Sequence, residues 1–240
     1  MNSNSQYFTV DNTIHSVQEK RIPGYNLDFL KGTRGVMNIS LIFIYLFFSY
    51  LLAKITLQYI PYNTDVAFLR IKQDVIDIPF YKIAFFTHVY TAMLVLPAGL
   101  TQFSTFIRKH FPIVHKYTGW VYAVTVILLA GPGGFYMGLY ANGGLISQVS
   151  FCLLAVLWIG LTAAAVIKAG QHDIKAHRAF LIRSFALTLS AITLRAWKYV
   201  IVLFFEPRPM DVYQVVAWLG WIPNLIIAEL IIRKIVKLKK

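Results

Sequence analysis

Residues 177–198, HRAFLIRSFALTLSAITLRAWK, have the length and apolar content of a membrane-spanning helix, with basic residues at both ends. A helix of about 20 apolar residues crosses the hydrocarbon of a bilayer. The rest of the chain has the same character: of 240 residues, 58% are hydrophobic and 14% are charged, and the mean hydropathy is +0.60. This composition predicts an integral membrane protein and excludes an ordinary soluble domain.

Six stretches of sufficient length predict an all-α, polytopic membrane bundle in which helices 2–5 form a four-helix core. The predicted spans are residues 36–56, 83–104, 119–140, 146–169, 178–204 and 212–233, all within one transmembrane domain, residues 36–234. A polar N-terminal tail, residues 1–35, precedes this domain, and a basic tail, residues 235–240, follows it.

Two connections between the spans have distinct compositions. Residues 140–144, YANGG, are rich in turn formers and predict an antiparallel hairpin of the third and fourth helices. The longer connection, residues 57–82, mixes charged and apolar residues, which predicts an amphipathic segment at the membrane surface.

Lysine and arginine collect in both tails, in the loop after the second helix and in the fourth-to-fifth connection. Since positively charged loops stay in the cytoplasm, both termini are predicted to be cytoplasmic, in a multi-pass protein of the inner membrane. The basic residues behind the net charge of +13 thus flank the membrane spans, where topology and anionic lipid explain them. The charge therefore does not indicate a nucleic-acid partner. The single cysteine, Cys152, excludes a disulfide framework.

The fifth predicted span has a polar line along it. Counting 100° per residue from His177 places Ser184 and Thr188 within 20° of the same face, returns Arg195 to that face and leaves Lys198 at its margin. Each of these residues alone is ordinary at a helix end or in a packed interface. Arg195 is the exception, because a guanidinium about two turns inside a span needs an acceptor or an anion.

Two histidines at matching depth on the predicted cytoplasmic side suggest a cofactor site. His115 lies just before the third span and His177 just before the fifth, and neutral imidazoles on facing helices are usual axial ligands of haem iron. We therefore predict a b-type haem between them, with Lys116 and Arg183 neutralising its propionates. No metal beyond that iron is predicted.

An outer polar site is predicted on the opposite side of the membrane, where His88 lies inside the second span. We group Gln102, Arg195 and Lys198 with it, as a site for a second cofactor or a quinone. The glycines of residues 130–138, AGPGGFYMG, favour close helix packing, and the alternative is that they leave space for a flat cofactor.

Glu229 is an acidic residue inside the last predicted span. Helical spacing predicts a local ion pair with Arg233, and a pair with Arg183 across the bundle is the alternative.

Three stretches together resemble the bacterial family of predicted membrane proteins catalogued as domain of unknown function 2306, over roughly residues 80–200. They are FYKIAFFTHVYTAMLVLPAGLTQF (80–103), HKYTGWVYAVTVILLAGPGGFYMGL (115–139) and AGQHDIKAHRAFLIRSFALTLSAITLR (169–195). The resemblance implies a membrane bundle and brings no established activity. The positions that carry it are His88, Gln102, Phe103, His115, Lys116, Gly119, His177, Arg178, Arg183, Ser184 and Arg195.

Three functions stay open at this stage. The first is a haem- or quinone-linked redox protein, similar in architecture to b-type cytochrome bundles, with a quinone or another redox partner. The second is a non-enzymatic transport or binding protein, in which the line from His177 to Arg195 forms a path or pocket for a small anion or lipid head group. The third is a structural or accessory membrane subunit, whose polar residues only join helices.

Overall fold

The computed structural model describes residues 27–206 and 208–237, and in this part of the chain every regular element is a helix. Five helical segments are long and apolar enough to cross a membrane, and Phe43–Leu57 is a shorter apolar helix. The predicted all-α, polytopic membrane fold is therefore confirmed. The helices are α1 (Leu27–Leu57), α2 (Pro79–Phe103), α3 (Thr105–His110), α4 (Pro112–Val124), α5 (Gly131–Leu139), α6 (Gly144–Gly170), α7 (Ile174–Thr188), α8 (Ser190–Phe205), α9 (Pro209–Leu219) and α10 (Ile222–Lys237).

Parts of the two predicted tails lie outside the described residues, namely 1–26 and 238–240. The remainder of the predicted N-terminal tail, residues 27–35, is helical and belongs to α1. The helix of the last span likewise continues to Lys237.

The hairpin between α5 and α6 forms at the glycine-rich sequence that predicts it. Gly143 and Gly144 have φ angles of 85° and 70°, in the left-handed region that glycine adopts at little cost. The chain reverses there, and the two helices pack against each other.

Three of the long spans contain a break in their α-helical hydrogen bonding, one of them at Gly220 and Trp221, between α9 and α10. Between α4 and α5 the backbone is π-helical over Thr125–Ala130, just before Pro132, whose ring nitrogen has no hydrogen to donate. Between α7 and α8 the break is at Leu189. There the side-chain amide of Asn224 donates to the carbonyl oxygen of Ala186 at 3.1 Å, and a side chain that enters the backbone ladder in this way bends a helix.

The connection between α1 and α2 folds into a compact cap rather than the predicted amphipathic surface segment. Its one helical turn, Ala67–Ile71, is 3-10 helical. Tyr59, Leu69 and Ile76 are buried in an apolar cluster with Tyr81 and Phe85 of α2. These apolar side chains are therefore buried against the end of the bundle, where the sequence predicts that they lie on the membrane surface.

Candidate functional site

A hydrogen bond between α4 and α7 sets the relative register of the two predicted haem ligands. The hydroxyl oxygens of Tyr122 and Ser184 are 2.8 Å apart. His115 precedes Tyr122 by seven residues, and His177 precedes Ser184 by seven residues. Seven residues are about two turns, or roughly 10 Å, so each histidine lies about two turns before this contact on its own helix.

The ring nitrogens of these histidines have different surroundings. Nδ1 of His177 lies 2.8 Å from the carbonyl oxygen of Ala165. A carbonyl oxygen only accepts, so Nδ1 carries the hydrogen and Nε2 of the neutral ring has a free lone pair. Nδ1 of His115 is buried and has no hydrogen-bond partner among the described residues. The two imidazoles lie close enough to interact electrostatically.

Gln102 lies at the His115 end of α2, apart from the outer group in which the sequence analysis placed it. Its amide nitrogen donates to the backbone oxygen of His115 at 3.1 Å and to the hydroxyl of Thr118 at 2.8 Å. The side chain is buried against Gly119, where an added Cβ would lie 3.0 Å from the amide oxygen. Gln102 therefore holds the beginning of α4 against the end of α2.

The two cations predicted to neutralise haem propionates differ in availability. Lys116 is exposed. Arg183 forms a two-point ion pair with Glu229, with Nε to Oε1 at 2.5 Å and Nη2 to Oε2 at 3.0 Å. Glu229 thus pairs across the bundle, not locally with Arg233 as predicted, and Arg183 is already neutralised.

The middle of the predicted polar line is a closed hydrogen-bonded network. Ser184 and Thr188 both bond to the Tyr122 hydroxyl at 2.8 Å. Thr162 bonds to Ser184 at 2.7 Å, and the Trp158 indole nitrogen donates to Thr188 at 3.0 Å. Ser184 is 0% exposed and Thr188 is 5% exposed. These groups join α4, α6 and α7 at positions between His177 and Arg195 in the chain.

The end of the bundle away from His115 and His177 holds His88 in a fixed orientation. Its Nδ1 lies 2.7 Å from the carbonyl oxygen of Ala130, so Nδ1 carries the hydrogen here as well. An added Cβ at Gly134 would lie 3.0 Å from this Nδ1, and one at Gly133 would lie 2.7 Å from the carbonyl oxygen of Ala84. The glycine-rich segment therefore packs closely on α2, and His88 occupies the space beside it.

Arg195 lies on α8, within electrostatic range of His88. Its Nη1 donates to the carbonyl oxygen of Ala191, one turn earlier, at 2.5 Å. Lys198 is exposed on the same helix. Of the four residues predicted for the outer site, the structure thus brings His88 and Arg195 into one region and places Gln102 and Lys198 elsewhere.

The cap over this end contains a buried lysine, Lys72, which was not among the predicted site residues. Lys72 is 3% exposed, and its Nζ donates to the carbonyl oxygen of Tyr140. Burial lowers the pKa of the Lys72 ammonium, an effect that Asp74 partly offsets. Burial also raises the pKa of the Tyr59 hydroxyl, whose oxygen accepts a hydrogen bond from the backbone nitrogen of Phe68. No local sequence signal marks Lys72, because its burial depends on the fold of the cap.

Within the described residues, no group of three or more His, Cys, Asp or Glu side chains is arranged to hold a metal ion. A site for a metal held by protein ligands alone is therefore not found there. A haem differs, because the porphyrin supplies four nitrogens and the protein adds one or two axial ligands.

The model of one protein family, described as "Predicted membrane protein (DUF2306)", matches residues 85–232. The match extends from α2 to α10 and includes His88, His115, His177 and Arg195. No curated protein and no solved structure matches the chain.

Proposed function

The chain belongs to the DUF2306 family of predicted membrane proteins, and we propose that this multi-pass protein transfers electrons through a b-type haem held by His115 and His177. The single observation that carries the proposal is that His115 on α4 and His177 on α7 each lie seven residues before the contact between Tyr122 and Ser184, within electrostatic reach of each other. Both termini and this haem end would lie on the cytoplasmic side of the inner membrane, as the distribution of lysine and arginine predicts.

The hydrogen-bonding state of the His115 and His177 imidazoles supports their role as haem ligands. A histidine that binds a metal through one ring nitrogen usually donates the hydrogen of the other to a backbone carbonyl, which fixes the ring and raises its basicity. His177 makes this contact with Ala165. The buried Nδ1 of His115 has no protein partner among the described residues, which is costly for a polar atom unless a ligand orders the site.

The surrounding charges support a revised set of partners for the propionates. Arg183 is paired with Glu229, so we assign this role to Lys116 together with Arg108, whose charge acts on His115. The haem would supply reversible one-electron chemistry, and its partner would be a membrane quinone or another redox protein. This chain's residues would bind the group, orient its ligands and keep the interior closed to water beyond Tyr122.

The test is a reduced-minus-oxidised absorption spectrum of full-length protein, expressed with ample haem precursor and purified in detergent. We expect a Soret band and an α band in the unmodified protein. His115→Ala and His177→Ala should each lose most of both bands. His110→Ala is the matched control, because His110 is exposed on α3, and it should keep them.

A thermal unfolding measurement on each variant distinguishes loss of the ligand from loss of the fold. Absence of both bands in the unmodified protein, also after addition of haemin, contradicts the proposal. Bands that persist in both histidine variants contradict the assignment of the ligands.

A further inference from the structure

A small cavity lies between the end of α1 and α8. Its volume is about 180 Å³. Its lining includes the apolar side chains of Phe48, Leu51 and Ile192, and the cations Arg195 and Lys54 also line it. The cavity is separate from the histidine pair on α4 and α7.

Arg195 is incompletely satisfied by the protein. A guanidinium has five N–H donors, and the contact with Ala191 uses one of them. In residues 27–206 and 208–237, no carboxylate lies within ion-pair distance of it. A permanently charged group inside a membrane span is costly without an anionic partner or several acceptors. The free donors of Arg195 therefore indicate an anion.

Lys54 adds a second cation to the same cavity. It is exposed, near the end of α1, and Gln58 follows it by four residues with an amide that donates hydrogen bonds. A guanidinium and an ammonium that converge on one space match the geometry of a phosphate or a carboxylate. The apolar side chains that line the same cavity exclude an anion that is hydrated on all sides.

We propose that this cavity binds an anionic amphiphile, with its phosphate or carboxylate at Arg195 and Lys54 and its apolar chain along Phe48, Leu51 and Ile192. The volume suits a head group and the first part of a chain, since sites for complete drug-sized ligands measure about 300–1,000 Å³. The rest of the chain would extend into the bilayer. This site does not depend on haem.

The test uses full-length, haem-free protein in a nonionic detergent and follows the midpoint of thermal unfolding. The probes are a short-chain phosphatidic acid, a phosphatidylcholine of the same chain length, and inorganic phosphate. We expect saturable stabilisation by phosphatidic acid, because a ligand that binds only the folded state raises the midpoint. The other two probes at equal concentration should give little change.

Variants locate the effect. Arg195→Gln should weaken the apparent affinity for phosphatidic acid about tenfold or more, and Lys54→Gln about threefold, since each removes a charge-assisted contact. Leu51→Trp keeps both cations and fills the cavity, so it should also weaken binding, and it decides the matter if Arg195→Gln does not fold. Lys198→Gln removes an exposed cation from the same helix and should leave the affinity unchanged.

Three outcomes would overturn the proposal. Equal stabilisation by the phosphatidylcholine would show that charge is not recognised. Equal stabilisation by inorganic phosphate would show that a free anion is bound and that the apolar side chains contribute nothing. Unchanged affinity in Leu51→Trp and in every folded variant of Arg195 would place the binding elsewhere.

Discussion

At the scale of single residues, the polar groups of this bundle fall into two kinds. Ser184 and Thr188 have partners on two neighbouring helices and are buried, so they stabilise the bundle and need no ligand. Nδ1 of His115 is buried without a partner among the described residues, and Arg195, which lines a cavity, makes one hydrogen bond. An unsatisfied buried donor or acceptor costs about 1–3 kcal/mol. The residues with missing partners are therefore the better candidates for binding.

Lys72 allows a prediction about pH. Its pKa is depressed by burial, so between that value and the ordinary 10.5 the unfolded chain binds more protons at this site than the folded chain does. Stability then rises with pH in this window, because the cost of burying the ammonium disappears as it loses its proton. Relative to Lys72→Met, the unmodified protein should gain in thermal unfolding midpoint as the pH rises towards 10.5.

Lys72→Arg is the second variant for this measurement, because a guanidinium keeps its charge over the whole window. It should lack the gain seen in the unmodified protein. Parallel pH profiles for the unmodified protein and Lys72→Met would show that the buried ammonium is not the source.

At the scale of elements, breaks in the long helices affect which side chains meet, and two of them lie near the predicted sites. The π-helical segment before Gly131 changes the direction of the side chains between α4 and α5. The break at Leu189 interrupts the α-helical hydrogen bonding between His177 and Arg195. His177 and Arg195 have different neighbours, and the proposals above assign them different ligands.

Gly131 tests the packing beside the first of these breaks. A Cβ at this position would lie 2.3 Å from the carbonyl oxygen of Val126 and 2.5 Å from Cγ1 of Ile159. Because neither the backbone oxygen nor the packed α6 side chain moves freely, Gly131→Ala should destabilise the protein by about 1–3 kcal/mol or more. The measurement is denaturant unfolding in detergent.

The matched control is Gly160→Ala on α6, where an added Cβ meets no atom within 4 Å. This change should be neutral or stabilising by up to about 1 kcal/mol, as alanine in a helix interior is more favourable than glycine. Equal effects of the two substitutions would contradict the close approach at Gly131.

At the scale of the whole molecule, the orientation in the membrane determines which compartment each site faces. The positive-inside distribution predicts that both termini are cytoplasmic, and this requires an even number of crossings. Five segments are long and apolar enough to cross, and α1, which contains the predicted span 36–56, is the sixth candidate. Whether α1 crosses therefore decides the side of the N-terminus.

Single-cysteine labelling of intact cells tests this prediction, with the native Cys152 replaced by alanine. Asp65→Cys in the cap should react with a membrane-impermeant maleimide. Ser5→Cys, Lys109→Cys and Lys234→Cys should react only after the membrane is opened. Labelling of Ser5→Cys in intact cells would show that α1 does not cross and that the N-terminus is outside.

The sequence by itself determined the class of this protein, because the relevant signals are local. Runs of apolar residues predict helices that a bilayer requires, and the YANGG segment predicts the hairpin through the backbone freedom of its glycines. The family resemblance rests on the same local stretches, and the family match over residues 85–232 agrees with it. The depth of a residue along its helix can also be predicted from the sequence, since it follows from counting residues.

Only the tertiary structure decided which polar group meets which. Glu229 pairs with Arg183 on a neighbouring helix and not with Arg233 on the same helix. Gln102 donates a hydrogen bond to the backbone oxygen of His115. Asn224 reached Ala186 beside the break in the fifth span. The physical reason is common to all three: inside a membrane each polar group must find a protein partner, and the partner that satisfies it depends on which helices are adjacent, information that no single segment of sequence contains.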